Sequence, residues 1–132
     1  MQELQMYIPK IKICGLTNLD DALAAVDTGA DLLGFIFFVK SPRYVEPETV
    51  AAIVPQVRAA NPAIKTVGVF VNESVDRIAE IVAQTGLDYV QLHGDETQAW
   101  FNALPGRCYK ALRPADGDAA VTQAATFASL ST

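Results

Sequence analysis

Short apolar runs rich in β-branched residues alternate five times with segments of helical periodicity along this chain. The predicted strands cover residues 11–14, 31–38, 65–71, 88–94 and 107–112. The predicted helices follow them at residues 19–29, 47–60, 74–85, 95–104 and 118–130. These connections are too long for hairpins, so we expect parallel strands joined by right-handed crossovers. The alternation therefore predicts an α/β fold built from five β-α units.

Residues that begin and end helices lie at the predicted boundaries. Asn18 is placed to cap the first helix, and Pro47 suits the first turn of the second. Gly29 and Gly86 follow the first and third helices, where a residue without a side chain readily takes a left-handed conformation. No linker or low-complexity segment interrupts the 132 residues, of which 51% are hydrophobic. We therefore expect residues 1–132 to form a single domain.

Polar residues on two of the predicted strands favour a barrel over an open sheet. Lys12 and Cys14 share one face of the first strand, and Gln91 and His93 share one face of the fourth. In an open doubly wound sheet helices cover both faces, so both would need apolar side chains. In a barrel the inner face can carry a polar site. The pattern predicts a partial (β/α) barrel with these four residues on its inner face.

Charge and composition indicate the class of partner. Lys and Arg number 10 against 15 Asp and Glu, a net charge of -5, which argues against nucleic acid and membrane surfaces as partners. A small molecule is the expected partner. We find no signal peptide and no apolar run of the roughly 18 residues that a membrane span needs. With only 2 cysteines, a disulfide scaffold is excluded, and we expect a cytoplasmic protein with both thiols reduced.

Cys14 ends its strand where barrel enzymes place their reactive groups. An intracellular cysteine is often a small buried apolar residue, and that interpretation stays open from the residue alone. The ammonium of Lys12 on the same face would favour the thiolate, since a nearby cation stabilises the charged form. Cys14 is therefore a candidate base or nucleophile.

Two further residues follow strands at the same end. Arg43 offers a fork of donors for a carboxylate or phosphate, although many loop arginines bind nothing in particular. His93, the single histidine, could be a core group, an acid/base or a ligand. We expect no metal, because Asp95 and Glu96 suit the first turn of a helix better than a ligand set. Trp100 is interpreted as a core or subunit contact. The sequence also lacks the usual dinucleotide, P-loop, serine-hydrolase and zinc motifs.

Four blocks, "KICGLT", "GADLLGFIFFVKSPRYV", "VGVFVN" and "VQLHGDE", together resemble the phosphoribosylanthranilate isomerase family of tryptophan biosynthesis. The resemblance covers residues 11–113 and implies a (β/α)8 TIM barrel. It also implies an Amadori rearrangement of N-(5-phosphoribosyl)anthranilate to 1-(2-carboxyphenylamino)-1-deoxyribulose 5-phosphate without a cofactor. By resemblance, Cys14 is the general base that takes the proton from C2 of the ring-opened Schiff base. Arg43 would hold the anthranilate carboxylate, and His93 would line the same pocket. We assign Lys12 and Gln91 to the substrate-binding face as well.

The chain departs from the family pattern after its fifth unit. In the family an aspartate at the end of strand six is the general acid, and loops after strands seven and eight bind the phosphate. This sequence ends at "FASLST", and we assign the acid role to neither Asp116 nor Asp118. We therefore expect the first five units of an eight-unit barrel, whether a cloned fragment, a truncated gene product or part of a longer protein. Alone, these 132 residues are predicted to be inactive.

Two other functions are compatible with parts of this pattern. One is another phosphosugar barrel enzyme, such as the indole-glycerol-phosphate synthase type, against which the four blocks in series argue. The other is a non-catalytic partial barrel that self-associates through the open edges of its first and fifth strands. That hypothesis predicts exposed apolar side chains, among them Phe35, Phe37 and Val69.

Overall fold

A computed structural model describes residues 10–104 and 108–111. Its strands are β1 (Lys12–Cys14), β2 (Leu32–Ile36), β3 (Lys65–Phe70), β4 (Tyr89–Leu92) and β5 (Cys108–Lys110). Its helices are α1 (Leu19–Asp27), α2 (Pro47–Ala60), α3 (Val75–Thr85) and α4 (Gln98–Ala103). All five predicted strands and the first four predicted helices are thereby confirmed, with several shortened at their ends. The helix predicted at 118–130 lies outside the described residues.

The sheet confirms the predicted parallel arrangement. Its strands follow one another in the order β1-β2-β3-β4-β5, and each adjacent pair is parallel. A sheet whose neighbours are also consecutive in sequence is wound in one direction, and right-handed crossovers then place the helices on one side. Contacts of α2 with both α1 and α3 agree with this placement. Five consecutive parallel strands with helices between them match the first part of a TIM barrel, and β1 and β5 are the edges of the described sheet.

The strand register separates an outer, mostly apolar face from an inner face that includes Lys12, Gln91 and Tyr109. On the outer face, strand residues such as Leu33, Phe35 and Val90 join helix residues such as Val50 and Ile78 in one core. Counting by register, the inner face carries Lys12, Cys14, Gly34, Val67, Val69, Gln91 and Tyr109. The predicted assignment of Lys12, Cys14 and Gln91 to one face is thus confirmed.

Local capping explains the ends of the helices. Asn18 Oδ1 accepts from the backbone N–H of Asp21 at 2.8 Å, which confirms the predicted cap of α1. Pro47 is the first residue of α2, as predicted. At the end of α3, Gly86 takes a φ of 76°, a left-handed conformation that favours glycine and explains why the helix stops there.

The predicted exposure of three apolar side chains is wrong. Phe35 is completely buried beneath the helices, while Phe37 and Val69 retain 6% and 5% of their accessible surface. Phe37 stacks on Phe70 with ring centroids 5.2 Å apart, which contributes to its burial. The hypothesis of self-association therefore depends on the strand edges rather than on these side chains.

Among the described helices, none is long and apolar enough to cross a membrane.

Candidate active site

Cys14 sits over a glycine of the neighbouring strand. It is the last residue of β1, and its Cα partner in β2 is Gly34. A Cβ atom on Gly34 would lie 2.7 Å from Cys14 Sγ, closer than real Cβ contacts come. Only glycine therefore leaves the thiol its present position. This half-buried thiol lies at the carboxyl end of the strands, where barrel enzymes carry out their chemistry.

Arg43 reaches from the loop between β2 and α2 to the backbone that follows Cys14. Its Nη1 atom donates to the carbonyl oxygen of Cys14 at 3.4 Å. The side chain passes so close over Gly15 that a Cβ atom there would lie 2.6 Å from Nη1, and Gly15 itself has a φ of 86°. The arginine itself remains exposed to solvent. The structure thus brings Arg43 beside Cys14, with guanidinium donors still available for an anion.

A layer of polar side chains crosses the inner face beside the thiol. Lys12 Nζ donates to Gln91 Oε1 and approaches the hydroxyl of Tyr109 at 3.4 Å. That hydroxyl in turn lies 2.8 Å from Gln91 Oε1. The ammonium of Lys12, which belongs to the same strand as Cys14, therefore contacts side chains of β4 and β5.

Tyr109 belongs to this layer but was not among the predicted site residues. It pairs with Gln91 in the register of β4 and β5, which places the two on the same face. Burial, followed by the charge of Cys14, raises the pKa of Tyr109 to about 12, so its hydroxyl keeps its proton at neutral pH. The alternation of the fifth predicted strand carried this signal, because Cys108 and Lys110 take the opposite face.

His93 follows β4 directly and joins the same layer. Its Nδ1 atom lies 3.4 Å from Nε2 of Gln91. Its backbone N–H donates to the carbonyl oxygen of Phe70 at 2.9 Å, which extends the pairing of β3 and β4 by one residue. The structure therefore links Lys12, Gln91 and His93 in one hydrogen-bonded chain, as their shared face predicted.

Glu96 has a role that the sequence did not reveal. It was predicted to lie in the first turn of a helix from 95 to 104, which is wrong because α4 begins only at Gln98. Its side chain is fully buried, and its oxygens accept from Lys110 Nζ and from the backbone N–H groups of Asn72 and Gly94, each at 2.8 Å. Burial raises the pKa of Glu96, but these donors outweigh it and lower the pKa overall.

The Glu96 ion pair fixes two loops at the carboxyl ends of the strands. Lys110 also donates to the carbonyl oxygen of Gly94, and Asn72 Oδ1 accepts from the N–H of Asp95 at 2.7 Å. Asn72 has a φ of 52°, an uncommon conformation for a residue with a side chain. The loop that carries His93 is thus clamped to the loop after β3 and to β5.

A cavity of about 750 Å³ opens at the other end of the strands. Its walls include Asp31, Lys65 and Tyr89, which begin or precede strands, together with Lys12 and Tyr109 of the inner layer. In barrels the amino ends of the strands serve stability rather than chemistry, so we assign the site to the opposite end. Within the described ranges, no group of three or more His, Cys, Asp or Glu could hold a metal ion.

Sequence comparisons place this geometry in a known family. The family model for N-(5'-phosphoribosyl)anthranilate isomerase matches residues 11–131. The isomerase of Citrifermentans bemidjiense is 49% identical over 104 residues, which are 79% of this chain and 49% of that protein. The isomerase of Pelobacter propionicus is 50% identical over 107 residues, or 81% of this chain and 50% of that protein. This chain therefore spans about half the length of the curated relatives that it matches.

Solved structures agree with the sequence matches. The phosphoribosylanthranilate isomerase of Thermotoga maritima is 36% identical and superposes with a TM-score of 0.83, covering 90% of this chain and 58% of that one. Another isomerase, solved with reduced 1-(o-carboxyphenylamino)-1-deoxyribulose 5-phosphate, is 34% identical with a TM-score of 0.82 and covers 90% of this chain and 61% of that one. On the family match and these superpositions, the chain belongs to the N-(5'-phosphoribosyl)anthranilate isomerase family.

Proposed function

We propose that the protein to which this chain belongs isomerises N-(5'-phosphoribosyl)anthranilate in tryptophan biosynthesis. The observation that carries the proposal is the pairing of Cys14 with Arg43 at the carboxyl ends of the strands, with Nη1 3.4 Å from the carbonyl oxygen of Cys14. The family match supports it, as does the relative that binds a reduced form of the product.

In the proposed mechanism, Cys14 acts as the general base on the ring-opened Schiff base. The thiolate takes the proton from sugar C2, and the electron pair of that C–H bond forms a double bond between C1 and C2 while the iminium nitrogen is neutralised. The resulting enolamine loses its C2 hydroxyl proton and gains one at C1, which gives the ketose. Arg43 holds the anthranilate carboxylate through a charge-assisted fork and orients C2 toward the thiol. No cofactor enters this sequence of steps.

The described half of the barrel supplies only the proposed base, Cys14, and the proposed carboxylate-binding residue, Arg43. The family resemblance assigns the general acid and the phosphate loops to strands six to eight, and the curated relatives are about twice as long as this chain. Glu96, although buried near the site, already accepts from Lys110 and two backbone amides, so it is poorly placed to become an acid. We therefore propose that a polypeptide of these 132 residues is inactive by itself.

A chimeric barrel tests the proposal. Residues 1–111 are joined to the second half of the Citrifermentans bemidjiense isomerase, and turnover is followed by the fluorescence of the anthranilate group. The chimera should be active, while its Cys14→Ala and Arg43→Ala variants should be strongly impaired. An active Cys14→Ala chimera would remove the proposed base. A folded chimera that binds a product analogue but shows no turnover would contradict the proposed activity of this half.

We further propose that the 132-residue polypeptide self-associates through β1 and β5, because both are edge strands of the described sheet. The solved isomerase of Thermotoga maritima includes a dimeric form, which is a property of that protein. Sedimentation across a wide concentration range tests this proposal, and a monomer at every concentration would refute it. Cys14 and Cys108 are free thiols, which is the basis for proposing the cytoplasm as the compartment.

A further inference from the structure

Gln91 lies between donors on one side and a histidine on the other. Its Oε1 atom faces Lys12 Nζ and the hydroxyl of Tyr109, while its Nε2 atom faces Nδ1 of His93 at 3.4 Å. The residue is buried, with 8% of its surface accessible, so water competes little for these contacts. Gln91 therefore connects the inner layer to His93.

The chemistry of the neighbours determines which way the amide of Gln91 points. A lysine ammonium has donors and no acceptor, so the atom that faces Lys12 must be the carbonyl oxygen. The Tyr109 hydroxyl reinforces this orientation, because it keeps its proton at neutral pH and lies 2.8 Å from the same oxygen. With the oxygen fixed there, the amide NH2 group must face His93.

The same reasoning then fixes the histidine. An amide NH2 group only donates, so a hydrogen bond with Nδ1 requires that this nitrogen carry a lone pair rather than a proton. The neutral imidazole must then carry its proton on Nε2. We infer that Gln91 is a positioning residue that holds His93 as the Nε2–H tautomer.

This inference rests on the proposed function for its meaning in catalysis. A histidine held in this tautomer has the lone pair of Nδ1 engaged by Gln91 and carries its proton on Nε2, so it has no open lone pair with which to take a proton from the substrate. His93 is then not a replacement for Cys14 as the base. The assignment deepens the role of His93, which its position in the pocket alone left open.

Nuclear magnetic resonance tests the tautomer directly, because the chain has 1 histidine and therefore gives one imidazole signal set. Long-range ¹H–¹⁵N correlations are recorded on the ¹⁵N-labelled 132-residue chain at a pH where the imidazole is neutral. The wild type should show a single tautomer with a pyridine-like Nδ1 and a pyrrole-like Nε2. A free imidazole populates both tautomers, so a mixture, or a proton on Nδ1, would overturn the inference.

Variants separate the effect of Gln91 from the intrinsic preference of histidine. In Gln91→Glu the carboxylate can only accept, so the proton should move toward Nδ1, and in Gln91→Met the fraction of the Nε2–H tautomer should fall below that of the wild type. Gln56→Glu, the same change at an exposed position of α2, should leave the spectrum unchanged. If both Gln91 variants keep the wild-type tautomer in a folded protein, Gln91 does not position His93.

The readout distinguishes this inference from the proposed function. Chemical shifts need no turnover, so an inactive chimera together with a single Nε2–H tautomer in the 132-residue chain would refute the isomerase activity and leave the role of Gln91 intact. An active chimera combined with a mixed tautomer would do the reverse.

Discussion

Replacing Glu96 by glutamine should destabilise the protein far more than its conservative nature suggests. The carboxylate is fully buried, and the partner ammonium of Lys110 is only 7% exposed. The glutamine keeps the shape of the side chain but removes the negative charge with which the buried ammonium of Lys110 is paired. Breaking a buried ion pair from one side costs about 3–5 kcal/mol in the free energy of unfolding. We expect Glu96→Gln to fall in this range.

The control is a surface pair with similar separation of its charged atoms. Arg77 and Glu80 approach to 2.9 Å, but their side chains are 45% and 67% exposed. Solvent screening limits such a pair to about 0–1 kcal/mol, so Glu80→Gln should unfold almost like the wild type. Urea unfolding, followed by far-ultraviolet circular dichroism and by the fluorescence of Trp100, measures both variants.

A second substitution identifies the cause of the loss. If the loss in the free energy of unfolding comes from breaking the ion pair with Lys110, Lys110→Met should restore part of the stability in the Glu96→Gln background. Replacing both members of a buried pair is often nearly neutral. The reasoning is refuted if Glu96→Gln loses no more free energy than Glu80→Gln. It is equally refuted if the double variant is less stable than Glu96→Gln alone.

Three further predictions concern the two cysteines, the packing of Cys14 against Gly34 and the dependence of stability on pH. In the chimeric barrel, Cys14→Ala and Cys14→Ser should each lower turnover by roughly two to four orders of magnitude, which steady-state kinetics will show. Cys108→Ala should leave turnover nearly unchanged and lower the free energy of unfolding by about 1 kcal/mol, measured by urea unfolding. Gly34→Ala should lower turnover because its new methyl group would lie 2.7 Å from the sulfur of Cys14. Kinetics that match the wild type would contradict the importance of this close packing. Burial raises the pKa of Asp88, but hydrogen bonds from Thr66 and an arginine of α2 outweigh it, so the folded pKa is lower than the unfolded one. The stability that Asp88 contributes is therefore present above its unfolded pKa and is lost as the pH falls through the folded pKa. Unfolding between about pH 5 and 2 should therefore show a shallower loss for Asp88→Asn than for the wild type.

The environment of Cys108 supports its separation from Cys14. The side chain packs against the outer core, and burial, then the charge of Glu96, raises the pKa of Cys108 to about 12. A thiol with this pKa is almost entirely protonated at neutral pH, and a protonated thiol is neither a base nor a nucleophile. Cys108 also begins β5, at the end of a barrel strand that serves stability, and it lies on the outer side of the sheet with Val90.

Local patterns were sufficient where local physics sets the outcome. The second helix was predicted at 47–60 and found at Pro47–Ala60, because a proline fixes its first turn and its apolar positions repeat at helical spacing. The polar inner face also followed from sequence, since alternation along a strand decides which residues share a side. Alternation grouped Lys12 with Cys14 and Gln91 with His93, and the polarity of both pairs then indicated the inner face of a barrel.

Contacts between distant segments could not be predicted in the same way. The fourth helix was expected at 95–104 because acids favour a first turn, yet Glu96 turns inward to Lys110 and the helix begins at Gln98. That ion pair joins residues 14 positions apart, and only the pairing of β4 with β5 brings them together. For Tyr109, alternation separates it from Cys108 and Lys110, but only the register of β4 and β5 places it beside Gln91.

The contact between Arg43 and the carbonyl oxygen of Cys14 bears on how the site would receive a ligand. A guanidinium carries several N–H donors in a fixed plane, and the carbonyl uses one of them. The remaining donors can engage a carboxylate while the arginine stays attached to the end of β1. Substrate binding would then require little rearrangement of the loop between β2 and α2, so less of the binding energy would be spent on ordering it.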